Sequence, residues 1–204
     1  MENTGATDTT SYTRGGRLRI ARVEDAPAVS RIYNETVIEG CYANCDIDPV
    51  SVELYRPEIA AADGRHRYYV FEDAAGEIRA WSAIKKWSAR PHCDSITEVA
   101  VYVDRQARNR VIGGALLYHL VVEATALGYA GMIAIVLAKN VASIRGLQAG
   151  GFEEIARFHE VARHRDEWID IVWLFKSLLQ PDIERMQRYA RLAALAGLPG
   201  FEQP

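Results

Sequence analysis

One stretch of the sequence places a carboxylate, several arginines and two glycines at the spacing of an anion-binding active site. Residues 98–103 alternate with β-branched side chains and predict a strand that begins at Glu98, and the Arg-rich residues 104–110 predict a turn. Gly113 and Gly114 then open a segment with the apolar periodicity of an amphipathic helix. The first amides of a helix and its dipole favour negative charge, so the stretch predicts a diphosphate site. An ordinary strand, solvated turn and helix would show the same periodicity, and that alternative stays open here.

The order of these motifs resembles the acetyl-CoA-binding core of the GNAT acetyltransferases, specifically the phosphinothricin N-acetyltransferase-like branch. That branch has a strand E-x-x-V-Y-V, a loop (Q/R)-x-x-G-x-(G/A) and a Leu-rich helix, which correspond here to EVAVYV, RNRVIG and the segment that follows. Similar pieces in the same order extend the resemblance from about Arg19 to Trp173. Two positions depart from it, because Val111 replaces the first glycine of the loop and Leu147 replaces a histidine regarded as catalytic.

This resemblance implies an α+β protein with a GNAT-like three-layer fold, in which helices flank a central mixed, mostly antiparallel β-sheet. Periodicity predicts strands in the same order, at residues 18–23, 68–72, 78–87, 98–103, 132–138, 152–162 and 167–175. It predicts helices at residues 25–40, 50–64, 113–127 and 140–150. We expect residues 1–16 to form a disordered N-terminal tail, residues 17–177 the GNAT acetyltransferase-like domain, and residues 178–204 a C-terminal helical extension.

The resemblance implies an enzyme, an acetyl-CoA-dependent N-acetyltransferase that acts on the amine of a small molecule such as an amino acid analogue or an antibiotic-like compound. This reaction needs a base for the ammonium, a donor for the thioester carbonyl and a proton for the thiolate. Glu98 occupies the position of the family's general base, and a carboxylate in a partly apolar cleft has a raised pKa. The alternative for Glu98 is a surface ion pair. Tyr102, Tyr129 and water remain as candidates for the general acid.

Contacts to acetyl-CoA are expected from the central strand, the helix start and the next strand end. The backbone of three strand residues would take part: Val101, Tyr102 and Val103. The N–H of Val101 would donate to the thioester carbonyl. The diphosphate would contact four amides and two arginines, at Ile112, Gly113, Gly114, Ala115, Arg108 and Arg110. Asn140 and Ser143 match family positions near the cofactor. The alternatives are solvent-exposed arginines, and a strand end followed by a helix cap at Asn140 and Ser143.

Six residues are expected on the acceptor side, from their match to family positions or their place beside them: Tyr33, Trp87, Arg90, Cys93, His164 and Trp168. The acceptor-side loop has the pattern T-x-T-F-D in the family, and the corresponding residues 42–46 are YANCD here. This difference leaves the identity of the acceptor open, and phosphinothricin is not implied. Cys93 could instead carry an acyl group or be a small buried hydrophobe. A zinc site from Cys41, Cys45 and the His92-Cys93 pair has loose spacing and no fourth strong ligand, so no metal is predicted.

Composition limits the other partners. The 204 residues carry 24 Lys and Arg against 27 Asp and Glu, a net charge of −3, and no block of like charge predicts nucleic acid or a membrane surface as the partner. No apolar run approaches the roughly 18 residues of a membrane span, and residues 1–16 lack the apolar stretch of a signal peptide. The cysteines number 3, few and odd, which favours a reducing cytoplasm.

Two other functions stay open at this point. A divergent GNAT-fold protein could have lost acetyl transfer and bind another ligand or catalyse a different biosynthetic step, which Val111, Leu147 and the loop at residues 42–46 suggest. A protein acetyltransferase would need a peptide-recognition signature that the near-neutral charge does not offer. The C-terminal extension also has an apolar stripe that predicts packing on this subunit or a homodimer contact, at Ile183, Met186, Tyr189, Leu192 and Leu195.

Overall fold

The computed structural model describes residues 11–13, 16–90, 92, 94–108 and 110–179, together with the single positions 184, 187 and 191. The strands among them are β1 (Ser11–Thr13), β2 (Gly16–Ile20), β3 (Arg67–Asp73), β4 (Ile78–Lys86), β5 (Ile96–Val103), β6 (Gly131–Leu137), β7 (Glu153–His164) and β8 (Glu167–Ser177). The α-helices are α1 (Ala26–Glu39), α2 (Val52–Ala60), α3 (Arg110–Ala126) and α4 (Val141–Ala149).

The strands form one sheet in the order β1-β2-β3-β4-β5-β6-β8-β7. All neighbours are antiparallel except β5 and β6, which run parallel because α3 carries the chain back between them. Helices α1 and α2 pack on one face through Ile32 and Tyr55, which we call the α1 face. Helices α3 and α4 pack on the other, the α3 face, through Leu120 and Leu147. The predicted α+β class and the mostly antiparallel three-layer arrangement are confirmed.

Strand β5 divides its side chains between the two faces. Val99 and Val101 lie in the apolar core beneath α3, whereas Ala100 and Tyr102 lie in the core beneath α1 and α2. Because successive side chains of a strand point to opposite faces, Glu98 belongs to the α1 face. The carboxylate predicted as the base is therefore on the same side of the sheet as Tyr102.

Local signals set both ends of α1 and the start of α2 as predicted. Pro27 lies in the first turn of α1, and Gly40 ends this helix in the left-handed region with a φ of 62°. Helix α2 begins after Ser51, whose Oγ accepts a hydrogen bond from the Glu53 N–H at 3.2 Å. These ends fix the length of the loop between the two helices, which covers the acceptor side.

Several predicted boundaries were wrong: the first full strand ends at Ile20 instead of residue 23, α2 ends at Ala60 instead of residue 64, and two further boundaries have a clear physical reason. Ser11–Thr13, expected in a disordered tail, pair antiparallel with β2, since an edge strand offers backbone groups that a further segment can satisfy. Residues 1–10 and 14–15 of that tail lie outside the described residues. Helix α3 begins at Arg110, three residues before the predicted start at Gly113. Ile112 packs against the core cluster of Phe71 and Leu116, so burial of this side chain extends the helix beyond the glycines.

The far C-terminus is described at three positions. Glu184, Gln187 and Arg191 are helical and exposed, as expected for the polar side of an amphipathic helix. The apolar stripe predicted from Ile183 to Leu195 lies outside the described residues. Among the helices of the described part of the chain, none has both the length and the apolar character needed to cross a bilayer.

Candidate active site

Strands β5 and β6 separate immediately after the predicted base. Their parallel ladder consists of Ile96 with Gly131, Thr97 with Met132, and Glu98 with Ile133. Beyond that point β5 stays paired with β4 and β6 stays paired with β8. Each strand therefore keeps its outer partner while a gap opens between the two in the middle of the sheet. Ile135 of β6, at the level of this gap, is 41% exposed.

The backbone of β5 offers alternate residues to the gap. The Ser95 carbonyl accepts from the Ala130 N–H at 2.7 Å, so the backbone groups of odd-numbered residues point toward β6. The Asp104 N–H donates to the Arg79 carbonyl at 2.7 Å, so even-numbered residues point toward β4. Because strand backbone groups alternate in direction, Val101 and Val103 face the gap and Tyr102 does not. The predicted backbone contact from Tyr102 is thus corrected, since its backbone belongs to the ladder with β4.

The N-terminal end of α3 lies beside Val103, at the end of β5. Because this helix begins at Arg110, its first-turn amides are those of residues 110–112, and a regular helix already uses the amide of residue 113 internally. The amides of Gly114 and Ala115, predicted to bind the diphosphate, lie in the second turn, where a regular helix uses them internally. Ala115 is moreover 2% exposed. Ile112, also predicted to contact the diphosphate, lies in the first turn, and its contact stays a prediction.

The space around this helix end suits an anion. A Cβ added at Gly113 would lie 3.9 Å from Val103 Cγ2, which is ordinary contact, so the glycine leaves its surface open toward the gap. Val111 has helical backbone geometry and is not among the described non-glycine residues with positive φ. The valine therefore occupies the glycine position of the family's loop without the strain that a left-handed conformation would cost.

Arg108 approaches the end of β5 but is held by another group. Its Nε donates to the Val103 carbonyl at 3.2 Å, and its Nη1 forms a short ion pair with Glu39 at the end of α1. Arg105 also contacts the Glu39 carboxylate, at 3.3 Å. The predicted diphosphate contact of Arg108 therefore has an internal competitor. The side chain of Arg110 lies outside the described residues.

Glu98 occupies a partly buried position among charged neighbours on the α1 face. It is directly opposite Lys85 in the β4–β5 ladder, and Glu58 of α2 contacts Lys85 at 3.7 Å. Burial raises the pKa of Glu98, the positive charge of Lys85 opposes that shift and the negative charge of Glu58 adds to it. A carboxylate with a raised pKa at the point where the strands part is suited to remove a proton from an amine.

Aromatic rings extend the α1 face from Glu98 toward the loop after α1. Trp81 stacks on Tyr102 with ring centroids 4.6 Å apart, and Tyr33 lies 5.1 Å from Tyr102. The Tyr33 hydroxyl donates a short hydrogen bond to Asp46 in the loop. Burial, followed by the negative charge of Asp46 and, more weakly, of Glu98, raises the pKa of Tyr102. The phenol ring of Tyr102 is thus influenced by both carboxylates.

The loop of residues 41–49 contacts both sides of the gap. On the β5 side, the Ala43 carbonyl accepts from the Tyr102 hydroxyl at 3.3 Å, and Asn44 donates to the Thr36 hydroxyl at 2.7 Å. On the β8 side, the Tyr42 ring lies 5.0 Å from the His164 ring and its hydroxyl donates to Glu167 at 3.4 Å. Tyr42 has a φ of 58°, which a residue of this type rarely adopts. These contacts hold the loop across the acceptor side of the cleft.

The predicted acceptor residues fall into three groups. Tyr33 faces Tyr102, and His164, 5% exposed, packs under Tyr42, so both lie along the loop of residues 41–49. Trp87 packs edge-on against Trp173, on the β8 side, with ring centroids 5.3 Å apart. Arg90 is exposed on the loop after β4, and Cys93 lies outside the described residues.

Trp168 does not share the acceptor face. Ile169 and Ile171 of β8 point to the α1 face, where they form an apolar cluster with Leu137. Strand alternation therefore directs Trp168 to the opposite face, where it is 57% exposed and lies under the Arg163 guanidinium at 6.0 Å. Its predicted role at the acceptor is corrected, because a match in sequence position carried no information on which face the residue takes.

Asn140 and Ser143 form a helix cap. The Asn140 side chain accepts from the Ser143 N–H at 3.1 Å, at the start of α4. Both residues therefore have the capping role that the sequence analysis gave as their alternative. Leu147 is 8% exposed in the core beneath α3, and Tyr129 donates to the Arg65 carbonyl at 3.3 Å, at the closed end of the ladder. Neither position supplies a proton donor at the gap.

Sequence reasoning missed several charged residues of this region. Lys85 could have been found, since aligning the two strands of the β4–β5 hairpin puts it opposite Glu98. Glu39 and Glu58 carried no local signal, because both lie on helices whose contact with the sheet depends on packing. Cys41 and Cys45 have free thiols. In the described residues there is no group of three His, Cys, Asp or Glu side chains that could hold a metal ion.

A comparison with known protein families identifies the family of the chain. The sequence profile of the acetyltransferase (GNAT) domain matches residues 18–173, so the chain belongs to that family. It is thus an acyltransferase enzyme of the N-acetyltransferase class.

Individual members of the family and solved structures also resemble the chain. The chain is 27% identical over 159 residues to an L-methionine sulfoximine/L-methionine sulfone acetyltransferase of Pseudomonas aeruginosa, which covers 77% of this chain and 91% of that protein. The crystal structure of a phosphinothricin acetyltransferase from Sinorhizobium meliloti in complex with acetyl-CoA matches with a TM-score of 0.74 and 27% identity, over 79% of this chain and 88% of that one. An N-acetyltransferase structure from Staphylococcus aureus matches with a TM-score of 0.74 and 27% identity, over 80% of this chain and 98% of that one.

Proposed function

We propose that the protein is an acetyl-CoA-dependent N-acetyltransferase that acts on the amine of a small molecule, such as an amino acid analogue or an antibiotic-like compound. The observation that supports this most directly is the separation of β5 and β6 immediately after Glu98. That separation brings a partly buried carboxylate, backbone groups directed into a gap, and the start of a helix to one place. The relative from Sinorhizobium meliloti, solved with acetyl-CoA, has the same fold.

The residues around the gap would each bind a different part of acetyl-CoA or of the amine. The amides of Val101 and Val103 face the space in which a pantetheine arm and a thioester carbonyl would lie. The first turn of α3, at residues 110–112, would bind the diphosphate. Bound acetyl-CoA supplies an activated acyl group as a thioester. An amine arriving from the α1 face would meet that carbonyl from the side on which Glu98 lies.

Glu98 would act as the general base. An ammonium must lose a proton before its nitrogen can attack, and the raised pKa of Glu98 makes the carboxylate a stronger acceptor for that proton. The carbon–sulfur bond breaks as the carbon–nitrogen bond forms, and the thiolate takes a proton. Tyr102 uses its hydroxyl to bond the Ala43 carbonyl, and Tyr129 lies at the closed end of the ladder. Water is therefore the proposed source of that proton.

Calorimetry followed by an activity assay tests the proposal. Titration with acetyl-CoA and with CoA should give binding in the micromolar range, and thiol release should depend on an added amine. A matched titration with dephospho-CoA and with pantetheine would show how much of the affinity comes from the phosphate groups. Absence of binding at millimolar acetyl-CoA would rule out the proposed cosubstrate.

A second candidate is a GNAT-fold protein that has lost acetyl transfer and binds another ligand. The specific observations in its favour are the buried Leu147 at a catalytic position of the branch and the ion pair that holds Arg108 on Glu39. This candidate predicts no amine-dependent thiol release from acetyl-CoA, for every class of amine supplied. Thiol release stimulated by any amine would exclude it.

We also propose a cytoplasmic location and a homodimer. The free thiols of Cys41 and Cys45 suit a reducing compartment. Strand β7 is an edge of the sheet and exposes Ile155, Phe158 and Val161, at 55%, 41% and 52%. Such a row of apolar side chains on an edge strand suits contact with a second copy. Sedimentation of the wild type against Val161→Glu, with Glu160→Gln as control, tests the dimer.

A further inference from the structure

We infer that the acceptor carries a second positive charge, and that its class is an aliphatic diamine or a larger polyamine-like cation rather than an amino acid. This inference rests on the proposed function, because it concerns the acceptor side of the same cleft. Three carboxylates and two aromatic rings on the α1 face lead to it. The ring pair is Tyr33 and Tyr102, and the carboxylates are Glu98, Glu58 and Asp46.

The three carboxylates form one continuous region. Glu58 and Glu98 meet at Lys85, which contacts Glu58 at 3.7 Å and lies opposite Glu98, and the charges of Glu98 and Asp46 both act on the Tyr102 phenol. Glu98 and Tyr102 lie four residues apart on one strand, so their Cα atoms are roughly 13 Å apart and their side chains share a face. Asp46 lies beyond the Tyr33 and Tyr102 rings, in the loop. Glu98 and Asp46 thus mark two ends of the acceptor side, one at the gap and one at the loop.

Hydrogen bonds hold the two flanking carboxylates in place without cancelling their charge. The Tyr33 hydroxyl donates to Asp46, and the Tyr68 hydroxyl donates to Glu58, both through short bonds. A neutral donor orients a carboxylate and leaves its negative charge available. Lys85 is the cation that contacts this group of carboxylates, at 3.7 Å from Glu58 and opposite Glu98. Lys139 lies 5.3 Å from the Tyr42 ring of the same loop, but it is paired with Glu167. One ammonium against three carboxylates leaves this group acidic.

The rings add a second preference for a cation. Tyr33 and Tyr102 lie 5.1 Å apart at the end marked by Asp46, and Trp81 stacks behind Tyr102. The face of an aromatic ring attracts an ammonium group, more strongly where water is partly excluded. Tyr33 and Tyr102 are both partly buried. A distal ammonium beside Tyr33, Tyr102 and Asp46 would meet two rings and one carboxylate.

An amino acid would make the opposite demand. Its carboxylate needs a cation and would be repelled by Asp46, Glu58 and Glu98. Arg90, exposed on the loop after β4 and predicted from sequence on the acceptor side, is the cation that could serve it. The two acceptor classes therefore depend on different residues. A diamine depends on Asp46, and an amino acid depends on Arg90.

Three acceptors that share one primary amine and one carbon chain separate the classes. Putrescine ends in an ammonium, n-butylamine in a methyl group and γ-aminobutyrate in a carboxylate. We expect kcat/KM, measured by thiol release from acetyl-CoA, to fall in that order, with at least a tenfold difference between putrescine and n-butylamine. L-methionine sulfone serves as the amino acid standard. A higher kcat/KM for L-methionine sulfone than for putrescine would overturn the inference.

Asp46→Asn and Asp48→Asn form a matched pair of variants for a second test. Each removes one negative charge from the same loop, but Asp46 accepts from Tyr33 and Asp48 is exposed. We expect Asp46→Asn to lower kcat/KM for putrescine about tenfold more than it lowers kcat/KM for n-butylamine. Asp48→Asn should change neither. Equal effects of the two variants, or equal losses for both amines, would overturn the assignment of the distal ammonium to Asp46.

The failure of this inference can be told apart from failure of the proposed function. Turnover of amino acids alone keeps the acetyltransferase and rejects the cationic acceptor. No turnover of any amine, together with no acetyl-CoA binding by calorimetry, rejects both. Circular dichroism and thermal unfolding of each variant verify that the fold is kept, and a variant that unfolds early is replaced by Asp46→Ser for the same comparison.

Discussion

Glu39 at the end of α1 forms an ion pair with Arg108, the residue expected to bind the diphosphate, and so links the N-terminal helix to the start of α3. Arg105 shares the same carboxylate. This relationship means that a phosphate group entering the site must compete with Glu39 for Arg108. The protein thus carries an internal anion beside its own anion site.

Glu39→Gln should strengthen acetyl-CoA binding. Removal of the carboxylate frees Arg108 and removes a negative charge beside the diphosphate, and a pair of this partly exposed kind is worth about 0.2–1 kcal/mol, or up to about fivefold in Kd. Calorimetry at low and high salt measures it, and the gain should shrink at high salt. Glu53→Gln, which breaks the exposed pair with Arg56, is the control. Weaker binding in Glu39→Gln would mean that the carboxylate positions Arg108 instead of competing for it.

Glu98→Gln should lower kcat by about 10²–10⁴ and leave acetyl-CoA binding unchanged, since the carboxylate acts on the amine and not on the cosubstrate. The wild-type pH profile should also change in this variant. A base must be ionised to accept a proton, so wild-type kcat/KM should fall as the pH drops through the raised pKa of Glu98. That acidic limb should disappear in Glu98→Gln. A variant with full kcat would place the base elsewhere.

Val111→Gly should leave acetyl-CoA affinity within twofold of the wild type. Val111 already has helical geometry, so the glycine restores no conformation that the valine lacks. It should instead cost on the order of 0.5 kcal/mol of stability, because glycine is a poorer helix former. Calorimetry and urea unfolding measure the two effects. A gain in affinity of tenfold or more would show that the valine side chain obstructs the diphosphate.

His119 should make stability depend on pH. Burial lowers its pKa to about 4, partly offset by Glu123, which accepts from the Tyr69 hydroxyl at 2.9 Å and contacts Arg67 at 3.3 Å. The unfolded chain binds a proton at His119 below about pH 6.5 while the folded chain does not, so stability falls as the pH drops from 6.5 toward 4.

The expected loss from this histidine is about 2 kcal/mol at pH 5 relative to pH 7. Urea unfolding at the two pH values measures it. His119→Gln, which cannot titrate, should lose most of that difference, whereas the exposed His159→Gln should keep it. An unchanged difference in His119→Gln would assign the pH dependence to other groups.

The fold could be predicted because its signals are local. Pro27 and Gly40 marked the ends of α1, and the alternation of residues 98–103 marked β5. The strand Ser11–Thr13 was missed because a short polar segment gains order only from the edge of β2. The start of α3 was placed too late because Gly113 and Gly114 are typical of a helix start. The packing of Ile112 against the core extends the helix to Arg110.

The site was predicted less completely, for a physical reason. Strand alternation places Val101 toward the gap and Tyr102 toward β4, but this follows from two hydrogen bonds at the strand ends that a sequence does not contain. Glu39, Glu58 and Asp46 come from two helices and a loop, and tertiary packing brings them to the sheet. The charge of the acceptor side is therefore a property of the assembled layers.

The loop of residues 41–49 spans the cleft and is attached on both sides, through Tyr42 on the β8 side and through Ala43 on the β5 side. A protein engineer who transplanted this segment from a relative, hoping to import a new substrate preference, would also have to transplant Tyr102 and His164. A change of acceptor should therefore require exchange of the loop together with Tyr102 and His164. Single substitutions within the loop should mostly weaken its contacts across the cleft.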